Sequence, residues 1–85
     1  MLFDADDLDW AMGELLELFE RAGRNGVYPH ALDPALFHSA WSVLNAQPFE
    51  TRDRCQKSVM TAWGQGSAMR KRFGIGKRYE NALAH

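Results

Sequence analysis

The sequence predicts an all-α protein, a small bundle of three helices, or four if a short C-terminal one forms. Three observations carry that expectation. β-branched residues are scarce, no stretch alternates apolar and polar residues with a period of two, and apolar residues recur at the 3.6-residue helical period. The 85 residues make one domain with no repeat and no low-complexity stretch. A chain of this size buries only about 60–65% of the surface its unfolded form exposes. Ten aromatics and four methionines are a large apolar load for so small an interior, so part of it is expected to face a partner.

The first helix is predicted from Asp6 to Ala22. Asp4 or Asp6 supplies a cap, and acids in the first turn suit the positive end of the helix dipole. Leu8, Ala11, Met12, Leu15, Phe19 and Ala22 fall on one stripe. Trp10 lies nearly opposite it, beside Asp6, Gly13 and Glu17, while Leu16 and Leu18 stand at the stripe's edges. Asn25-Gly26 and Pro29 then read as a loop.

Asp33-Pro34 opens the second helix, predicted over 34–46, with an N-cap followed by proline at the first helical position. Leu36, Phe37, Ala40, Trp41, Val43 and Leu44 form its apolar side; His38, Ser39, Ser42 and Asn45 form its polar side. Pro48 ends this helix or starts the next element.

The third helix is predicted over 51–73, roughly 35 Å long. Cys55, Val59, Ala62, Gly66, Met69 and Phe73 keep a 4-3-4-3-4 spacing straight through Gly64 and Gly66. Two glycines in a helix interior cost roughly 1 kcal/mol each against alanine, yet the phase does not slip. The rival reading splits this stretch in two, with Ser67 capping the second piece. The small residues of the seam would let another helix approach closely, which makes the six positions candidates for a dimer seam. Gly74 is a natural left-handed stop, and 77–83 form the short last helix.

Charge is unevenly distributed behind a net of −1. Residues 1–20 hold seven acids and no base, whereas residues 51–78 hold eight bases and one acid, Asp53. In an up-down-up bundle the acidic start of the first helix and the basic finish of the third lie at opposite ends. A two-fold dimer with antiparallel long helices would bring unlike ends together, and a homodimer is expected.

Sites of chemistry are weak in this sequence. GIGK and GQGS lack the spacing of a phosphate loop and any strand to precede it. His30, His38 and His85 show no metal-ligand spacing with each other or with Cys55. Cys55 on an apolar seam behaves as a small hydrophobe, and a single cysteine excludes an internal disulfide and favours a reducing compartment. No catalytic residue, cofactor or metal is expected. No apolar run approaches the ~20 residues needed to span a bilayer, and the acidic N-terminus lacks the flank of a signal peptide. A cytoplasmic protein is expected.

Two function classes lead, ahead of a third, a purely structural subunit of a larger assembly. Arg70, Lys71, Arg72, Lys77 and Arg78, flanked by Phe73 and Tyr79, would contact phosphates and stack bases in a small nucleic-acid-binding regulator. Arg70, Lys71 and Arg72, however, sit on three sides of the predicted helix end, where positive charge complements the dipole. The other class is a protein-interaction module. Its contact candidates are Trp10, Leu16, Leu18 and Met60, since tryptophan is enriched in binding hot spots; the alternative for Trp10 is that Phe3 or the C-terminal segment folds over it.

The stretches LDPALFHSAW and FETRDRCQKSVMTAWGQGSAMRKRFG, within roughly residues 30–80, resemble the QslA-type quorum-sensing anti-activators of pseudomonads. The resemblance implies a small helical protein that binds the ligand-binding domain of a LuxR-type, autoinducer-responsive transcription factor. Binding there would block receptor dimerisation and DNA binding, a regulation of transcription by protein contact without chemistry. It assigns no role to an individual residue.

Overall fold

A computed structural model of the chain describes residues 5–65, and these form four helices with no strand among them. They are α1 (Ala5–Asn25), α2 (Pro29–Leu32), α3 (Pro34–Asn45) and α4 (Phe49–Gly64). The protein is all-α.

α1 is the spine. It packs along α4 and along α3, while α3 and α4 touch each other only lightly. Its buried side chains are Ala11, Leu15, Leu18, Phe19 and Ala22, with Gly23 also buried and Leu8 and Met12 half-buried beside them. Leu18 and Gly23 widen the predicted stripe to an arc of about 140° at 100° per residue, as a helix gripped from two sides requires. Asp6 and Asp7 lie in the first turn, inside the helix. Asp6 therefore complements the dipole but is not the cap, and Asp4 falls outside the described residues.

The C-terminal end of α1 is closed by a Schellman motif. Gly26 adopts a positive φ of 66°, the Gly26 N–H donates to the Gly23 carbonyl at 3.3 Å, and the Val27 N–H donates to the Ala22 carbonyl at 3.0 Å. The stretch after it is not wholly loop. Pro29 starts the single turn α2 and is buried, and the Asp33 N–H returns to the Pro29 carbonyl at 3.3 Å. Proline fits the first helical position because that N–H has no helical partner in any case. Four residues carry no periodicity, so the pattern leaves this turn invisible.

Asp33 caps α3 as expected, its carboxylate accepting from the Leu36 N–H at 3.2 Å. Phe37, Ala40, Trp41, Val43 and Leu44 are buried, and His38, Ser39, Ser42 and Asn45 are exposed. α4 begins two residues before the predicted start, with Pro48 as its first flanking residue and the Arg52 N–H donating to the Pro48 carbonyl at 2.9 Å. Phe49 is 67% exposed and carries the Arg52 guanidinium 5.7 Å from its ring centroid. Because Phe49 adds nothing to the core, the apolar period starts after it.

α4 buries Cys55, Val59, Met60 and Trp63, with Ala62 half-buried. The buried arc is centred on Val59 and Trp63, not on the expected Cys55–Val59–Ala62 line. Gly23 makes the closest approach: a Cβ built there would lie 2.4 Å from the Trp63 carbonyl oxygen. Two backbones meet where α1 has no side chain. The Trp63 indole N–H also donates to the Val27 carbonyl at 2.9 Å. The C-terminal ends of α1 and α4 therefore lie together, the arrangement of an up-down-up bundle.

Rings continue this junction across the molecule. Tyr28 stacks on Trp63 with centroids 5.8 Å apart and on His30 at 5.6 Å. His30 meets Phe37 edge-on at 5.9 Å, and Phe37 stacks on Trp41 at 5.3 Å and on Phe19 at 6.1 Å. The wall ties α2 to the core, each offset pair adding about 0.5–1.5 kcal/mol beyond its buried area.

Candidate functional site

Of the four expected protein contacts, two stand at the surface and two do not. Trp10 is 46% exposed and Leu16 is 38% exposed. Leu18 and Met60 are buried core residues, which corrects their expected role. Each stands at the edge of an apolar stripe, and α1 and α4 both bury a broader arc than a two-helix contact would. Neither offers surface to a partner.

The dimer seam is corrected in the same way for its described members. Cys55 and Val59 are buried in the core of one chain, and Ala62 packs against that core. The close approach for which small residues were expected does occur, but within the chain, and the small residue is Gly23 of α1. Gly66, Met69 and Phe73 lie outside the described residues. So do the continuation of α4 to residue 73, the stop at Gly74, the short helix over 77–83 and the alternative phosphate contacts Arg70, Lys71, Arg72, Lys77 and Arg78.

Among the described residues, the face around Trp10 is built by α1 alone. Trp10 lies about 150° from the centre of the buried arc at 100° per residue, so a core facing α3 and α4 leaves its ring outside. Gly13, one turn on, is exposed, with nothing within 4 Å of the place a Cβ would occupy. Leu16 stands one turn further. Asp6, Asp9 and Glu17 are exposed around these three, and Glu14 is half-buried. Beyond them Glu20 pairs with Arg24. From Ala5 to Phe19 the helix carries five acids and no base. The face therefore presents an apolar centre with an acidic rim.

Chemistry is sparse elsewhere. Among the described residues no polar or charged side chain is buried, and no group of three His, Cys, Asp or Glu residues could hold a metal ion. Burial pushes the Cys55 thiol above its ordinary ionisation range, with the neighbouring Arg54 guanidinium pulling weakly the other way. No described helix is long and apolar enough to cross a membrane. The described residues hold nine acids and five bases, the opposite of a phosphate-binding surface.

Two structural features escaped sequence reasoning. Trp63 anchors the end of α4 although it was assigned no place; its spacing of eight from Cys55 and four from Val59 is the signal that would have found it. Gly13 was noticed only as a neighbour of Trp10. Comparison of the chain with protein-family models, with curated proteins and with solved structures found no match.

Proposed function

We propose that this protein is a non-enzymatic regulator that works by binding another protein through the outer face of α1. The observation that carries the reading is Trp10, a large aromatic held 46% exposed on the side of α1 away from the core. An exposed tryptophan inside an acidic rim has the composition of a binding hot spot: an apolar anchor, with charge that orients the partner. The resemblance to the QslA-type anti-activators supplies the partner class. It is a LuxR-type quorum-sensing transcription factor, held at its ligand-binding domain so that it neither dimerises nor binds DNA, in the cytoplasm. The excess of acids over bases on the described surface favours a protein partner over nucleic acid.

The test is Trp10→Ala in a pull-down against the ligand-binding domain of such a factor. The variant should lose binding at least tenfold while its melting temperature stays close to wild type, since exposed positions alter stability by no more than about 0.5 kcal/mol. Unchanged binding, or a large loss of stability, would refute the role of Trp10.

A further inference from the structure

Among the described residues, nothing gives Gly13 a reason to be glycine. It sits in the middle of α1, the only positive-φ glycine among the described residues is Gly26, and a Cβ at Gly13 would meet nothing within 4 Å. A glycine in a helix interior is destabilising against alanine, and nothing among the described residues offsets that cost. The other glycine within α1, Gly23, does have a reason: the Trp63 backbone presses where its side chain would be. At Gly23 the absent side chain admits a second helix. At Gly13 no described part of the chain takes that place.

The surroundings of Gly13 say what would. Trp10 and Leu16, three residues to either side, are both exposed and apolar, and Asp6, Asp9 and Glu17 ring them. We propose that this face seats a basic amphipathic helix of the partner protein, which crosses α1 at Gly13 with its backbone in close contact. Trp10 and Leu16 pack on either side of the crossing, and lysines or arginines of the partner helix reach Asp6, Asp9 and Glu17. A guanidinium or ammonium over the Trp10 indole adds a cation–π contact. A second copy of this chain fits poorly, because a two-fold pairing of α1 with α1 sets the same acids against each other. This inference rests on the reading of the chain as a protein-binding module and names the element it takes hold of.

The experiment is a selection from a displayed library of amphipathic helical peptides. Their flanking positions vary between Lys/Arg and Asp/Glu. The recovered peptides are measured by fluorescence anisotropy against wild type, Gly13→Ala, Gly13→Leu, Trp10→Ala and Glu17→Lys. The recovered sequences should be rich in Lys and Arg. Gly13→Leu should weaken binding at least tenfold and Trp10→Ala comparably. Gly13→Ala should bind several-fold more weakly although it melts several degrees higher than wild type. The loss in Glu17→Lys should shrink at high salt.

The proposal is overturned by recovered peptides without a basic bias, by wild-type binding in Gly13→Leu, or by a selection that returns no binder sensitive to Trp10→Ala. It is equally overturned if the face belongs to this chain. Self-association in sedimentation that Gly13→Leu abolishes would assign it to a second copy. A peptide of residues 66–85 that shields Trp10 from acrylamide only when Gly13 is present would assign it to the chain's own C-terminal segment. Trp41 and Trp63 are buried, so quenching reports Trp10. Failure of a LuxR-type domain to bind would remove that partner class and leave the basic-helix result standing.

Discussion

Gly23→Ala adds one methyl group at the tightest point of the fold. The new carbon would lie 2.4 Å from the Trp63 carbonyl oxygen, 3.2 Å from its carbonyl carbon and 3.3 Å from its Cα. All three are backbone atoms, so no side chain can rotate aside. Carbon and carbonyl oxygen rest in contact at about 3.3–3.6 Å, so α1 and α4 must separate by roughly an ångström. The Trp63–Val27 hydrogen bond and the stacking of Tyr28 on Trp63 sit at the same junction and loosen with it. Overpacking of this kind costs about 1–3 kcal/mol, and alanine's better helix propensity returns at most about 1 kcal/mol. The expected net loss is up to about 2 kcal/mol, a fall in melting temperature of up to about 16 °C for a domain of this size. The assay is thermal and urea denaturation followed by far-UV circular dichroism, with Gly13→Ala as the control. That control makes the same chemical change in the same helix with open space around it, so it should raise the melting temperature. If Gly23→Ala melts at or above wild type, the close approach of the two backbones is not what fixes this position.

Other substitutions test single contacts. Trp63→Phe removes the indole N–H and leaves the Val27 carbonyl without that donor; it should cost about 1–3 kcal/mol in urea denaturation, and a cost near zero would mean water replaces the bond freely. Asp33→Ala removes the α3 cap and should cost about 1 kcal/mol, of which Asp33→Asn restores most. The Cys55 thiol, pushed upward by burial, should react with iodoacetamide far more slowly in the native protein than in urea; equal rates would place it at the surface. The linked effect on stability has a definite sign. As pH rises through the ordinary thiol range, the unfolded chain gives up its proton first. The stability that the buried neutral thiol contributes below that range is then lost. Denaturation at pH 7 and pH 10 should show this decrement in wild type and not in Cys55→Ala.

Local signals were legible in the sequence, and geometry between elements was not. Asp33-Pro34 announced the start of α3 because capping and proline placement are decided within four residues. The outward position of Trp10 followed from helical phase alone. The burial of Leu18 and Met60 did not, because the width of a buried arc depends on how many neighbours grip the helix. The Trp63 bond to Val27 joins residues 36 apart, and no periodicity encodes such a partner. The misplaced dimer seam has the same origin. Small residues signal that something approaches closely, but not whether it belongs to the same chain. Gly23 supplied the close approach inside the molecule and left Cys55 and Val59 as ordinary core.

The central position of α1 also bears on how the chain is born. α3 and α4 hold each other only lightly, so neither is secure until both rest on α1, yet α1 leaves the ribosome first. Its apolar stripe must wait for Trp63, about forty residues later, or about 2–8 s at 5–20 residues per second. During that interval a 21-residue amphipathic helix shows its oily side to water. Translation speed between Asn25 and Trp63 sets how long that side stays uncovered.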